Sequence, residues 1–168
     1  KSIRSQGAWV RGVNTYLSQE IAVEEALSVP IEFDARKSAL SRRYIYLISN
    51  SNNPPPLMSQ YFAHESRYLN CAAMHEAGQN LLGENDFTSF RASNCQSLSP
   101  MRNLMELTVA RINDIVLIDI TANAFLQHMV RNIAGALIEV GLKKKPSSWL
   151  KELLHLKNRN LAARTASP

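Results

Sequence analysis

The sequence predicts an α+β fold, an antiparallel sheet with helices packed on one face, of the split βαβ kind. Three observations predict it. Runs with two-residue alternation interleave with stripes of helical spacing in the order β-β-α-β-β-α-α. A short Asn113-Asp114 punctuation joins two long strand-like runs as a hairpin. The chain has 168 residues, 45% of them hydrophobic, which is enough for one core. A domain of this size hides roughly 70% of its extended-chain surface, so neither disulfides nor a structural metal are required to hold it.

Taken in order, Ala8 to Leu17 has the spacing of a short helix. Ile21, Val23, Leu27 and Val29 alternate as a half-buried strand does, and Pro30, which lacks an amide donor, ends that run. A second strand is expected from Ser38 to Ser49, with Leu40, Tyr44, Tyr46 and Ile48 near one side and Arg42 interrupting a clean two-faced pattern. The run NSNNPPP, Asn50 to Pro56, is a loop by composition. Asn70 caps a helix whose apolar stripe is Met74, Ala77, Gly78, Leu81 and Leu82, and Gly83-Glu84-Asn85-Asp86 reads as its cap and turn. After a polar stretch through Pro100 come the hairpin strands, Asn103 to Ile112 and Ile115 to Ala122. Met129, Val130, Ile133, Ala134, Leu137 and Ile138 mark a strong helix ending at Gly141, and Trp149, Leu150, Leu153 and Leu154 mark the last one. A unit of this kind closes with one more strand, which is expected beyond Pro168, with an edge left for another segment to cover.

Charge gives direction. Nineteen basic against fourteen acidic side chains leave a net +5, which favours a polyanionic partner. Arginine outnumbers lysine twelve to seven, a tilt toward forked hydrogen bonding to phosphate or carboxylate. Only Cys71 and Cys95 are present, too few for a secreted disulfide scaffold, so reduced thiols in a cytoplasmic protein are expected. The longest apolar stretch, Phe125 to Val140, is broken by Gln127, His128, Arg131, Asn132 and Glu139, so no membrane partner is expected.

The residues that carry chemistry need separating from those that do not. Cys71 and His75 lie four apart on a helix, but two ligands are too few for a metal, and a structural pair is the simpler account. Cys95 with His128 as a nucleophile and base has nothing in the spacing to bring the two together. The glycine at position 83 follows a helix instead of preceding one, so it is no phosphate loop. Arg131 differs from these. It stands early in a helix among apolar neighbours, where a guanidinium either snorkels to water or is held by a carboxylate. Tyr44, flanked by arginines in RRYIYL, offers a phenol beside phosphate contacts, although alone it would read as a cross-strand aromatic.

Four segments, FDARKSALSRRYIY (Phe33 to Tyr46), LLGENDFTSFRA (Leu81 to Ala92), CQSLSPMRN (Cys95 to Asn103) and NAFLQHMVRNIAG (Asn123 to Gly135), resemble successive motifs of the bacterial tRNA pseudouridine synthase A family. The resemblance runs from about Trp9 to the TASP of Thr165 to Pro168, in the family's order and with similar spacing. It implies isomerisation of uridine to pseudouridine in the anticodon stem-loop, with tRNA as partner, a homodimer, and neither metal nor organic cofactor. It also implies that residues 1–168 are a single domain, the larger C-terminal portion of the catalytic domain, with residues 1–20 a remnant of the connection from an N-terminal part.

The family's nucleophile is the aspartate of an R-T-D-x-G-V-H motif. This sequence does not contain that motif; it is expected upstream of Lys1, and no aspartate of this chain takes its role. The chain alone is therefore expected to be inactive. A non-catalytic RNA-binding or dimerisation module is the alternative. By the resemblance Tyr44 matches the active-site tyrosine and Arg131 the arginine that pairs with the absent aspartate, while Gln127 stands where the family often has histidine. Arg36, Arg42, Arg43, Arg91 and Arg102 are the candidates for cationic walls along an RNA backbone.

Overall fold

The computed structural model describes residues 4–57 and 59–168 and divides into two compact units, Lys1–Ala39 and Leu40–Pro168. In the first unit, helix α1 (Gln6–Asn14) starts where the Ser5 hydroxyl accepts from the Ala8 amide. The expected strand around Ile21 to Val29 is not one. That stretch is irregular, pairs with no strand among the described residues, and the Asn14 carboxamide bonds both the amide and the carbonyl of Val23. A side chain thus satisfies backbone groups that a ladder would otherwise pair. Further on, the Asp34 carboxylate accepts from the amides of Arg36 and Lys37, closing an Asx-type turn.

The second unit holds the sheet, in the order β2-β1-β5-β4-β3. Its strands are β1 (Arg42–Ser49), β2 (Ala63–His64), β3 (Gly83–Asp86), β4 (Met101–Ile112) and β5 (Ile115–Ala122). Every pairing is antiparallel except the short one between β1 and β2, where Ile48 and Ser49 meet Ala63 and His64. The hairpin joining β4 and β5 turns on Asn113, whose φ of 51° is the left-handed geometry that a two-residue turn requires and that Asn tolerates.

Alternation in β5 is clean. Val116, Ile118, Ile120 and Ala122 are buried toward the helices, while Ile115, Leu117, Asp119 and Thr121 take the other face. In β4 a bulge between Leu104 and Glu106 inserts one residue, so Leu104 and Leu107, three apart, are both fully or almost fully buried. Helices α2 (Cys71–Gln79), α3 (Met129–Gly141) and α4 (Trp149–Leu156) supply the facing apolar layer: Met74 and Ala77, then Met129, Ile133 and Leu137, then Leu150 and Leu153. Asn70 caps α2, its side chain accepting from Ala73 at 3.1 Å. Cys71 and His75 serve this layer structurally: the thiol lies on the Leu69 carbonyl and the imidazole Nδ1 accepts from the Val109 amide.

A second local expectation is corrected. Gly83–Asp86 is strand β3 rather than the cap and turn of α2. The helix stops at Gln79, where the Asn80 amide donates to the carbonyls of Glu76, Ala77 and Ser147. The Asn85 amide then donates to those of Leu81 and Leu82. With the helix end satisfied by these side chains, Gly83 (φ 88°) turns the backbone into pairing with Met101–Leu104. Among the described residues no helix is long and apolar enough to cross a membrane.

Candidate functional site

Strand alternation decides what the site contains. Tyr44, Tyr46 and Ile48 point to the helix side of β1, and they grade from half exposed to fully buried as the strand passes under α3. Where cover runs out, a cleft of about 390 Å³ opens between β1 and the start of α3. Its walls are mostly apolar: Ile45, Phe125, Leu126, Met129, Val130 and Pro168. Its polar groups are Tyr44, Tyr46, Gln127, His128 and Arg131. A pocket with apolar walls and a few convergent polar groups is the usual form of a site for a small planar ligand.

Each polar group is held differently. Tyr44, 52% exposed, forms a T-shaped pair with Phe125, centroids 5.2 Å apart and ring planes at 79°, which orients its ring. The Tyr46 hydroxyl donates to the Ser167 carbonyl at 2.7 Å. Burial pushes its pKa up, partly opposed by the Ser167 side chain and the charge of Arg131.

Arg131 sits in the first turn of α3 and grips the chain end twice. Its carbonyl accepts from the Ala166 amide at 3.1 Å, and its Nε donates to the Ala166 carbonyl at 2.8 Å. The side chain is half-buried, less than its apolar neighbours imply, because it snorkels along the edge of the stripe that Met129 and Ile133 bury. None of the four ion pairs among the described residues includes it.

Residues 162–168 therefore form a strap across α3. Asn132, buried, anchors it: its Oδ1 accepts from Thr165 at 2.7 Å and from Arg159 at 3.0 Å, while its Nδ2 donates to the Phe90 carbonyl. Gly135 makes the close approach possible, since a Cβ there would stand 2.2 Å from the Arg164 carbonyl oxygen.

The opposite wall is fixed from behind. Gln127 donates its amide to the Cys95 sulfur at 3.4 Å and accepts at its carbonyl from Ala92. Burial pushes the Cys95 thiol up, but the amides of Gln127 and Ser97 and the charge of Arg91 outweigh it and hold the pKa below the ordinary thiol value.

The arginines do not converge on one wall. Arg42 is half-buried and donates to the Asn123 carbonyl at 3.0 Å, beside the loop leading into the cleft. Arg43 points to the other face of the sheet. There it forks onto Asp119, and that hydrogen bonding and charge hold the carboxyl below its usual range. Arg91 reaches the carbonyls of Cys95 and Ser97, and Arg102 those of Ser99 and Met101 together with the Ser97 hydroxyl, so both clamp the loop behind Cys95. Arg36 belongs to the first unit, where its side chain is exposed. Phe125 and Tyr46 were missed as site residues by the sequence reading; the signal for Tyr46 was its even spacing from Tyr44 on the strand.

Comparison with known proteins agrees with the motif pattern. A family model described as tRNA pseudouridine synthase matches residues 77–168. The tRNA pseudouridine synthase A of Cronobacter sakazakii is 51% identical over 165 residues, covering 98% of this chain and 61% of that protein. That of Legionella pneumophila (strain Corby) is 52% identical over 163 residues, 97% and 62%. That of Aliivibrio fischeri (strain MJ11) is 52% identical over 165 residues, 98% and 63%. The chain thus spans about three-fifths of the length of these relatives.

Proposed function

The chain belongs to the tRNA pseudouridine synthase family, and from that premise we propose that the cleft between β1 and α3 receives a uridine of tRNA, in the anticodon stem-loop, for isomerisation to pseudouridine. The observation that carries this reading is the convergence of the Tyr44 ring and the Arg131 guanidinium on one apolar cleft sized for a base. To enter it, the uridine leaves its stack. The face of the Tyr44 ring, oriented by Phe125, replaces part of the lost stacking.

The reaction breaks the bond between ribose C1′ and base N1, turns the base, and joins C1′ to C5; the proton lost from C5 is balanced by one gained at N1. It needs an ionised carboxylate held close to the sugar and base. In the complete synthase that carboxylate is the aspartate of the R-T-D-x-G-V-H motif. Arg131 keeps it ionised and fixes its rotamer, its Nε on Ala166 leaving the rest of the fork to face the acid. Tyr44 stacks on the base and handles a proton with its hydroxyl. Arg42, at the loop entering the cleft, is the best placed of the five arginines to meet a backbone phosphate; Arg91 and Arg102 serve by shaping the loop behind Cys95. We read the protein as cytoplasmic and homodimeric on the family resemblance, and sedimentation of the complete synthase tests the second point.

Release of tritium from tRNA labelled at uridine C5 tests the proposal. The complete synthase releases it and this chain alone does not. Tyr44→Phe in the complete synthase keeps its affinity for tRNA but loses activity by about 10²-fold or more. A normal kcat in that variant removes the proton-handling role and leaves Tyr44 as a stacking surface only.

A further inference from the structure

Outside glycine, four described residues have positive φ: Asn113, His128, Lys143 and Lys157. Three have ordinary reasons. Asn113 forms the hairpin turn, and Lys143 and Lys157 follow or close the C-terminal ends of α3 and α4, where a left-handed residue is common. His128 stands at the opposite end of a helix. It is the N-cap of α3, a position that normally takes extended backbone and a side chain that bonds the first turn, yet its φ is 59° and its side chain caps nothing.

The rings of the other three histidines bond backbone groups: His64 the Ser51 carbonyl, His75 the Val109 amide and His155 the Lys151 carbonyl. The His128 ring makes no hydrogen bond among the described residues, and it is exposed on the lining of the cleft. The strained backbone is fastened on both sides, by Gln127 on the Cys95 sulfur and by the Asn132 amide on the His128 carbonyl at 2.9 Å. A left-handed backbone whose side chain bonds nothing among the described residues, on the lining of a ligand cleft, is the pattern expected where a binding contact is made.

We propose that His128 is a substrate-binding residue, whose imidazole N–H donates to a phosphate oxygen flanking the nucleotide held in the cleft. The inference rests on the functional reading above and adds a contact that neither Tyr44 nor Arg131 provides. A phosphate fits because the ring is exposed, unlike the buried Leu126 and Met129 that line the apolar part of the cleft. Phosphate contacts set register and orientation, which this cleft needs if C1′ is to meet the nucleophile.

The test uses the complete synthase and a fluorescently labelled anticodon stem-loop RNA containing the target uridine, with affinity read by anisotropy. His128→Ala keeps the strained backbone and removes the ring; Kd rises about tenfold, the usual loss for a hydrogen bond to a charged acceptor, while Tm stays within about 1 °C. His128→Gly relieves the strain, so Tm rises by about 2 °C while the same tenfold loss remains. An RNA with a neutral methylphosphonate at one of the two flanking positions loses a similar factor with the parent protein and nothing more with His128→Ala. Unchanged affinity in His128→Ala, or a lowered Tm in His128→Gly, overturns the proposal and makes the ring structural. Tritium release by the parent protein separates the two levels. RNA binding that depends on His128 without release refutes the reaction but not the contact, and failure of the parent to bind the RNA refutes both.

Discussion

Gly135→Ala places a methyl group 2.2 Å from the Arg164 carbonyl oxygen. A backbone oxygen cannot swing aside as a side chain can, so either α3 or the strap of residues 162–168 must move. The helix is held by its buried stripe, which makes the strap the weaker partner. Lifting it removes four hydrogen bonds: Ala166 amide to Arg131 carbonyl, Arg131 Nε to Ala166 carbonyl, Thr165 hydroxyl to Asn132 Oδ1, and Tyr46 hydroxyl to Ser167 carbonyl. At about 1 kcal/mol net each, that is about 4 kcal/mol. Alanine in a helix interior returns about 1 kcal/mol relative to glycine, leaving a net loss of about 3 kcal/mol, or about 6–12 °C in Tm for a chain of this length. Thermal melts measure the total, and hydrogen exchange locates it: the Ala166 amide loses protection while those of Ile118 and Ile120 at the sheet centre keep theirs. A variant that melts at or above the parent temperature with Ala166 still protected refutes the claim that this glycine exists for close approach.

Other outcomes follow from the same geometry. Arg131→Met in this chain changes stability by less than about 1 kcal/mol, because it trades one hydrogen bond to Ala166 for apolar contact and breaks no ion pair, whereas in the complete synthase it abolishes tritium release. A destabilised variant of this chain together with an active variant of the complete synthase would make Arg131 structural. Stability falls on acidification. Glu65 and Asp119 are held below their usual range, by hydrogen bonding from Arg67 and Arg43 respectively, and for Asp86 the bonds from Thr88 and Lys157 outweigh the opposing effect of burial. Their contribution is present above the ordinary carboxylate pKa of about 4 and is lost as pH drops through the lower folded values. Urea melts from pH 6 to pH 2.5 show a declining midpoint, and Asp119→Asn flattens part of that decline; a flat profile in the parent refutes it.

The hairpin, α2, α3, α4 and the core residues of β5 were legible because each combines a periodic stripe with a local stop signal, such as Asn70 before α2 or Asn113-Asp114 between strands. Two local readings failed for a shared reason. Ile21 to Val29 alternates but pairs with no strand among the described residues, and Gly83–Asp86 lacks alternation but finds one; pairing is settled by distant residues, here Met101–Leu104, that a local pattern does not contain. For the site, Tyr44 and Arg131 were singled out through their motifs, and both line one cleft. The arginine wall was not resolved by sequence, because whether Arg43 faces the cleft or Asp119 depends on strand parity, and whether Arg91 meets solvent or the Cys95 carbonyl depends on a loop. His128 carried no signal at all, since its distinguishing property is a dihedral angle.

The extra residue in β4 acts like a frameshift. Upstream of it, Arg102 and Leu104 share the helix side; downstream, Leu107, Val109 and Arg111 do, and Met105 absorbs the offset. The strand is thus read in two phases, one serving the loop that braces Cys95 and hence the cleft wall, the other serving the core under α2. Deleting Met105 would merge the phases without a conflict, because Leu104 and Leu107 would then stand two apart and ordinary alternation would keep Arg102, Leu104, Leu107 and Val109 on the helix side. Substitutions can therefore accumulate on either side of the offset independently, and what the extra residue adds is the local bend and twist of β4 where the loop behind Cys95 meets the core.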